Sequence, residues 1–333
     1  MEDKMCLGID VSKKTLDCCL YDGNDYKHKI FNSNNASIVS KIIKNYKLTK
    51  ACKVVMEATG VYHTSIFKSF YEKGFNVVVE NPLKIKSYSK MKLCRVKTDK
   101  ADAKLIAEYG YMQVTERTIP HEPYQDELAA LLKLIDGYQC DVTRCKNRLE
   151  ALNNYSINTS IHIASLNRQI ISLNKEIQTL KVSIREIIAS TCEEQYQLYL
   201  SVTGVGPVTA SSIIANFGNF SRFEQSKQVA NFIGICPSPF SSGTSVKSSG
   251  SISKKGNPLL RMTLYMSALT ASRKNRACHD LYTRLVAKGK NKKLARIAAG
   301  HKLLRQLFAI AKSGEPYDPD YEIKMCENRK NVK

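Results

Sequence analysis

The stretch MCLGIDVSKKTLDCCLY, residues 5–21, has two apolar runs joined by a short polar turn. The first run predicts a strand over 5–11 and the second a strand over 15–21, with Ser-Lys-Lys between them. A third strand over about 26–31 would continue the meander. Asp10 stands near the end of the first strand, just before the turn. The chain therefore opens with a predicted meander that has an acid at one strand end.

The chain then alternates between helical and extended patterns. Helices are expected over about 36–46 and 62–73. Buried strands are expected over 53–56, with Glu57 directly at its end, and over 76–80, where Asn81-Pro82 stops the strand. A basic stretch, 84–97, leads into a helix in KTDKADAKLIAEYGYM, with Thr98 or Asp99 near its N-terminus. A meander followed by alternating helices and strands predicts an α/β or α+β domain with a mixed sheet.

Four acids of this region could act together. Asp10 and Glu57 each end a buried strand, where a carboxylate is costly unless it is paired or bound to metal. Asp99 and Asp102 are three residues apart and so lie on one helix face. A helix packed across the strand ends would unite all four as oxygen ligands for Mg²⁺. The alternative is a helix cap, a solvated helix acid and two turn residues.

Residues 124–192 show the clearest periodicity of the chain. Apolar residues step by three and four in two segments that are separated by the polar break 153–160. The two seams predict a coiled-coil arm, which is either a helical hairpin or a contact between two copies. The seam residues are Leu128, Leu131, Ile135, Tyr138, Val142, Cys145, Leu149 and Leu152, then Leu166, Ile170, Leu173, Ile177, Leu180, Ile184 and Ile187.

Two loops of the C-terminal part could contact nucleic acid. Gly204-Val-Gly206-Pro predicts a tight turn between short helices, in the manner of a helix-hairpin-helix, although a plain turn between helices uses the same glycines. The stretch ICPSPFSSGTSVKSSGSISKKGNPLLR, residues 235–261, follows a helix over about 224–233. A flexible Ser/Gly linker is one interpretation of it. The other is a shaped loop that offers a serine hydroxyl, lysines and glycine-rich backbone (Gly243, Gly250) to a phosphate.

The charge of the chain favours a nucleic-acid partner. The net charge is +21, and residues 243–305 contain fifteen lysines and arginines but one acid, Asp280. Helices are predicted over 258–273, about 278–288 and 292–312, the last with a basic face. A membrane surface would be the competing partner, but no basic amphipathic anchor or long apolar run appears. The residues expected to contact nucleic acid are Lys247, Lys254, Lys255, Arg261, Lys292, Lys293 and Arg296.

The cysteines and the N-terminal residues indicate the cellular compartment of the protein. The eleven cysteines include no C-x-x-C pair and have no histidines at zinc spacing, so neither structural zinc nor a disulfide framework is expected. Their odd number fits a reducing cytoplasm. Glu2 and Asp3 do not suit the start of a signal peptide. We therefore expect a cytoplasmic protein.

Five motifs in this order resemble one known family. They are GIDVSKKTLD around Asp10, MEATGVY around Glu57, KTDKADA, SVTGVGPVTA, and GICPSPFSSG with GSISKKGNPLLR. Together they resemble the bacterial insertion-sequence transposases that join an N-terminal DEDD domain to a C-terminal serine domain and act as bridge-RNA-guided recombinases. The resemblance covers nearly the whole chain.

The resemblance implies a ribonuclease-H-like (RuvC-type) domain over 1–118, a coiled-coil arm over 119–195 and a mainly helical transposase domain over 196–333. It implies that Asp10, Glu57, Asp99 and Asp102 bind Mg²⁺. It makes Ser242, in the P-x-x-x-x-S-G motif, the nucleophile that attacks DNA, with Ser241 as the adjacent alternative. It further implies donor and target DNA, a guide RNA and a homodimer or larger homo-oligomer as partners.

Two other functions remain open at this point. A metal-only nuclease or junction resolvase would use the acids with water as nucleophile, leaving the serine loop to hold DNA. A non-catalytic DNA-binding protein would use only the basic C-terminal part.

Overall fold

The computed structural model describes residues 5–32, 35–58, 60–94, 98–113, 115–152, 154–155, 159–238, 241–242, 246–247 and 251–321. Within 238–250, only the backbone of residues 238, 241–242 and 246–247 is described, without side chains. The chain divides into two compact units, Met1–Pro120 and His121–Lys333. Each is considered below by itself.

The first unit is built on one five-stranded mixed sheet. Its strands are β1 (Cys6–Val11), β2 (Leu16–Tyr21), β3 (Tyr26–Phe31), β4 (Lys53–Glu57) and β5 (Asn76–Glu80). Their order is β3-β2-β1-β4-β5. The first three form an antiparallel meander, whereas β4 and β5 run parallel to β1. The predicted meander and mixed sheet are confirmed.

Four helices cover the two faces of this sheet. Helices α1 (Ile38–Tyr46) and α2 (Thr64–Glu72) share a core with Leu7, Ile9 and Val11 of β1. Helices α3 (Pro82–Met91) and α4 (Asp99–Met112) pack on the opposite face, where Cys6 of β1 contributes to the core. Strand side chains alternate between faces, so β1 divides its residues between the two cores.

Helix α3 is absent from the sequence prediction, which treated 84–97 only as a basic stretch and Asn81-Pro82 only as a strand stop. In the structure the Asn81 side chain accepts a hydrogen bond from Leu83 N at 2.9 Å, and Pro82 takes the first helical position. Proline is favoured there because its missing N–H has no helical partner to lose. The same dipeptide thus ends β5 and starts α3.

The contact between α4 and β1 is made backbone to backbone. A Cβ atom added at Gly8 would lie 2.2 Å from Ala107 N and 2.5 Å from Ala103 O of α4. Farther along, a Cβ atom at Gly110 would lie 2.5 Å from Cys6 Sγ. Because Gly8 meets Ala103 and Ala107 while Cys6 meets Gly110, α4 runs antiparallel to β1. Small residues on both elements allow this close approach.

The second unit is mainly helical. Its helices are α5 (Pro123–Leu152), α6 (Ser160–Thr191), α7 (Glu193–Leu200), α8 (Pro207–Phe217), α9 (Ser226–Ile233), α10 (Pro258–Lys274), α11 (Arg276–Ala287) and α12 (Lys292–Ser313). Between α9 and α10 lie four two-residue strands, β6 (Pro237–Ser238), β7 (Ser241–Ser242), β8 (Val246–Lys247) and β9 (Ser251–Ile252). The three helices predicted after residue 258 are confirmed. No helix in the described part of the chain is long and apolar enough to cross a membrane.

Helices α5 and α6 pack against each other within one chain. Cys145 Sγ lies 3.6 Å from Gln169 Oε1, whereas Leu132 near the start of α5 lines a cavity with Ile184 near the end of α6. The two helices are therefore antiparallel. At its base the hairpin joins the core of the C-terminal helices, because Leu128 and Ile188 belong to the same buried cluster as Leu304 of α12.

A buried polar network joins the C-terminal helices. The Asn275 side chain, 1% exposed, donates to Thr203 O at 3.1 Å and to Gln306 Oε1 at 3.0 Å. Its Oδ1 accepts from Cys278 N at 3.2 Å and so caps α11. Buried polar groups are costly unless they are hydrogen-bonded. Asn275 therefore fixes the turn before α8, the start of α11 and the middle of α12 relative to one another.

We predict that Gly8→Ala lowers the free energy of unfolding by about 1–3 kcal/mol, because the added methyl group overlaps the α4 backbone. The matched control is Gly137→Ala in α5, where an added Cβ atom meets nothing within 4 Å. This control should gain about 0.5–1 kcal/mol from helix propensity. Urea unfolding followed by circular dichroism measures both. Equal effects at the two glycines would contradict the close packing of α4 on β1.

Candidate active site

Asp10 and Glu57 are neighbours at the carboxyl edge of the parallel strands. Asp10 is the penultimate residue of β1 and Glu57 is the last of β4. The register pairs Ile9 with Met56, and its next step sets Asp10 beside Glu57. Adjacent strands lie about 4.8 Å apart, so these carboxylates leave the sheet side by side. The sequence placed both acids at strand ends, and the pairing of β1 with β4 makes those ends adjacent.

The first turn of α4 adds the other two acids. Thr98 caps the helix, its side chain accepting from Ala101 N at 3.2 Å and its carbonyl from Asp102 N at 2.8 Å. Since α4 runs antiparallel to β1 over Gly8, this turn lies at the Asp10 end of the strand. Asp102 is half-buried and Asp99 is exposed there. The structure thus brings together the four acids that the sequence singled out.

The electrostatics of Asp10 reflect this proximity. Burial, followed by repulsion from Asp102, Asp99, Glu57 and Asp17, raises the pKa of the Asp10 carboxyl to about 6. Each neighbour makes the ionised form of Asp10 less favourable. A site with this concentration of negative charge is suited to a cation.

The donor set fits a divalent cation in kind. Carboxylate oxygens are the ligands that Mg²⁺ and Ca²⁺ prefer, and Mg²⁺ usually retains several waters. Within the described residues, no three His, Cys, Asp or Glu side chains already lie at metal-ligating distances. Holding an ion therefore requires some side-chain rotation, which the exposed Asp99 has room to make.

In the second unit, the loop between α9 and α10 has a fixed base. Strand β6 pairs with β9, and Ser253 N donates to Cys236 O at 3.0 Å. Lys254 N donates to Gly234 O at 3.1 Å. A Cβ atom added at Gly256 would lie 2.0 Å from Phe232 O, so the two ends of the loop touch through their backbones. The base of the loop is therefore ordered by hydrogen bonds and strand pairing, which a flexible Ser/Gly linker would lack.

The tip of this loop holds the predicted nucleophile. Ser241 and Ser242 form β7, which pairs with Val246–Lys247 of β8. The side chains of Ser242, Ser241 and Lys247 lie outside the described residues, as do Gly243 and Gly250 altogether. The predicted phosphate-holding role of these residues stays a prediction.

Two family matches, in different parts of the chain, indicate the same family of proteins. Residues 196–283 match the family described as transposase IS116/IS110/IS902, and residues 7–155 match the DEDD transposase domain of IS110 elements. The two matches cover the sheet with its four acids, helix α5 of the hairpin and the serine-bearing loop. The chain belongs to the IS110 family of transposases.

Curated relatives extend the likeness over most of the chain. The transposase is 29% identical to the pilin gene-inverting protein of Moraxella lacunata over 95% of its own chain and 98% of that protein. The Moraxella bovis protein of the same name gives the same identity and coverage. The transposase for insertion sequence element IS1111A of Coxiella burnetii is 25% identical over 80% of this chain and 78% of its own.

Membership of the family explains the first unit. A DEDD transposase domain has a ribonuclease-H-like fold, and the mixed sheet with helices on both faces agrees with it. Domains of this kind use divalent metal ions, which fits the carboxylate donors at the sheet edge. Transposases bind DNA, which fits the charge of +21.

Arg261 of the transposase has a contact that its sequence did not reveal. The sequence placed it among the residues that contact nucleic acid. In the structure Arg261 Nη1 donates to Ile233 O at 2.9 Å and to Gly256 O at 2.7 Å. One guanidinium thus ties the end of α9 to the start of α10. Arg261 clamps the base of the serine-bearing loop.

The other basic residues are placed on exposed surface. Lys254 and Lys255 are exposed at the loop base, and Lys292 and Lys293 are exposed in the first turn of α12, with Arg296 half-buried behind them. That turn contains no acid, although the positive end of a helix dipole favours acids. Lysines at this end create a locally strong positive potential, which suits a phosphate backbone.

Two further acids near the site were missed from sequence. Asp17 and Glu80 are buried on the same sheet face as Asp10 and Glu57. Glu80 could have been predicted from the sequence, because it ends β5 just as Glu57 ends β4. Asp17 could not, because nothing in the sequence distinguishes it from an ordinary polar residue within a strand.

We predict that Arg261→Ala releases the loop base, since two backbone carbonyls lose their shared donor. Hydrogen exchange of amides in 235–256 should become at least about tenfold faster, as expected for the loss of one to two charge-assisted hydrogen bonds. Arg273→Ala, which removes an exposed arginine from the last turn of the same helix, serves as the control. An exchange pattern common to both variants would show that Arg261 does not clamp the loop.

Proposed function

We propose that this transposase cuts and rejoins DNA by serine attack on a phosphodiester, and so excises and inserts a mobile element. The observation that carries the proposal is the meeting of Asp10, Glu57, Asp99 and Asp102 at one edge of a ribonuclease-H-like sheet. The resemblance of residues 237–243 to the P-x-x-x-x-S-G motif of serine transposases adds the nucleophile. The pilin gene-inverting relatives are named for a DNA rearrangement, which agrees with this chemistry.

The carboxylates at the sheet edge would hold the metal. Asp10 and Glu57 are fixed by their strands, and Asp102 by the capped first turn of α4. Asp99, exposed on that turn, can rotate to complete the set. Mg²⁺ bound here would supply positive charge beside a phosphate oxygen and so favour attack on phosphorus.

Ser242 would form the covalent intermediate. A bond forms between Ser242 Oγ and phosphorus, and the bond from phosphorus to the leaving strand oxygen breaks. The proton of the serine hydroxyl ends on that oxygen, which becomes a free hydroxyl. Because the new ester conserves the phosphodiester bond, attack by another strand hydroxyl can reverse the step without a nucleotide cofactor.

The partners follow from charge and resemblance. Lys254, Lys255, Lys292, Lys293 and Arg296 would contact phosphates, with Lys247 at the loop tip. The likeness to bridge-RNA-guided recombinases makes a guide RNA the source of sequence choice, since base pairing can specify what phosphate contacts cannot. The two units would act together in a homodimer or larger assembly, with the α5–α6 hairpin, a coiled-coil arm, providing reach between copies.

We predict that Asp102→Asn abolishes DNA strand cleavage in the presence of guide RNA and Mg²⁺ while the circular dichroism spectrum stays unchanged. The reason is the loss of one negative ligand from the sheet edge. EDTA should stop wild-type cleavage and added Mg²⁺ should restore it. Persistent cleavage in EDTA would exclude a metal-dependent reaction.

We further predict a covalent protein–DNA adduct that depends on Ser242. A substrate nicked near the cleavage site should trap the adduct, because the short strand diffuses away before it can rejoin. Ser242→Ala should remove adduct and cleavage together, whereas Ser241→Ala, the adjacent control, should retain both. Gel shifts in denaturing detergent detect the adduct. Cleavage without an adduct would instead support a nuclease or resolvase that uses water, and DNA binding without cleavage would support a non-catalytic protein.

A further inference from the structure

Four acids form a row across the carboxyl edge of the sheet. Asp17 of β2 pairs directly with Asp10 of β1, and Glu57 of β4 pairs directly with Glu80 of β5. Asp10 and Glu57 are adjacent by the β1–β4 register. Directly paired residues of neighbouring strands point to the same face, so all four lie on the face that α4 covers. The row spans three strand spacings, or about 14 Å.

The outer acids of this row, Asp17 and Glu80, are buried and have basic partners. They are 6% and 5% exposed. Asp17 Oδ1 lies 2.9 Å from His28 Nε2, and Glu80 Oε2 lies 2.9 Å from Lys84 Nζ. Glu80 Oε2 also accepts from Asn81 N at 3.2 Å, and Oε1 accepts from Lys84 Nζ at 3.1 Å. These contacts hold the outer carboxylates in place beside their strands.

This arrangement is unfavourable for the folded chain alone. Like charges directly opposite each other in a sheet are destabilising, and buried carboxylates carry a desolvation cost. Two such pairs, Asp10 with Asp17 and Glu57 with Glu80, stand side by side. A divalent cation between the inner residues would turn that repulsion into attraction.

We propose that Asp17 and Glu80 are positioning residues for the metal: they do not ligate it, but they raise its affinity for Asp10 and Glu57. His28 and Lys84 engage the outer carboxylates and so keep them from turning inward as ligands. The negative charge of the outer acids still acts on the site across one strand spacing. This inference rests on the proposed metal-dependent function and adds two residues to its machinery.

The test compares Asp17→Asn and Glu80→Gln with the wild type in the full-length protein. Each variant removes one charge and keeps a hydrogen-bond acceptor for His28 or Lys84. Mg²⁺ affinity is measured by titration calorimetry, and melting temperature is measured with and without Mg²⁺. Each variant should bind Mg²⁺ about tenfold more weakly, because a negative charge one strand spacing from the inner carboxylates is lost. Without metal, the relief of a like-charge contact is opposed by the loss of the charged partner of His28 or Lys84, so the melting temperature without metal shows only that each variant folds. The rise in melting temperature on adding Mg²⁺ should be smaller in each variant than in the wild type.

The matched control is Glu108→Gln. Glu108 is a partly buried acid on α4 that contacts Lys92, so it has the same charge and kind of partner. It follows Asp102 by six residues, or about 9 Å along the helix axis, away from the sheet edge. Its loss should leave Mg²⁺ affinity unchanged.

The opposite pattern overturns the inference. If both variants melt lower with and without Mg²⁺ and keep wild-type affinity, the outer acids are only structural. The proposed function survives that result provided that Asp10→Asn still abolishes Mg²⁺ binding. If the wild type itself binds no Mg²⁺, the metal-dependent function and this inference both fail. Since the two variants lie on different strands, misfolding of one leaves the other as the test.

Discussion

The architecture of the first unit depends on how closely α4 can approach β1. At Gly8 the two backbones meet with no room for a Cβ atom, and at Gly110 a Cβ atom would overlap the side chains of Cys6 and Val55. That contact fixes both the direction and the height of α4 over the sheet. The first turn of the helix therefore lies at the strand end that carries Asp10. A larger residue at position 8 would lift the helix, and with it two of the four acids, away from the sheet edge.

The acidic edge shows how function opposes stability in this fold. Burial and neighbouring carboxylates raise the pKa of Asp10, and the flanking acids Asp17 and Glu80 add further negative charge to the same sheet face. The rest of the sheet compensates with two cores, one under α1 and α2 and one under α3 and α4. The like-charge repulsion at this edge can be tolerated because the other residues of β1, β2 and β4 are largely buried and apolar.

In the second unit, a long polar loop is attached to a core of helices. The described ends of this loop are held at its base. Strand pairing, the backbone contact of Gly234 with Gly256, and the Arg261 clamp hold them there. The helices beneath it are tied by the buried Asn275 network and by the base of the α5–α6 hairpin. The two ends of the loop are therefore held together by backbone contacts and by one side chain.

The meander, the mixed sheet, the long helical pair and the four acids could be predicted from the sequence alone, because each rests on local periodicity or on a strand or helix end. Its motifs also indicated the transposase family. Tertiary structure decided what depends on contacts between distant residues. The β1–β4 register makes Asp10 and Glu57 neighbours, and the Gly8 contact brings Asp102 to them. Helix α3 was missed because Asn81-Pro82 both ends a strand and starts a helix. The charge of Arg261 is visible in the sequence and predicts a contact with nucleic acid, whereas its hydrogen bonds to the carbonyls of Ile233 and Gly256 depend on residues that come together only in the folded chain.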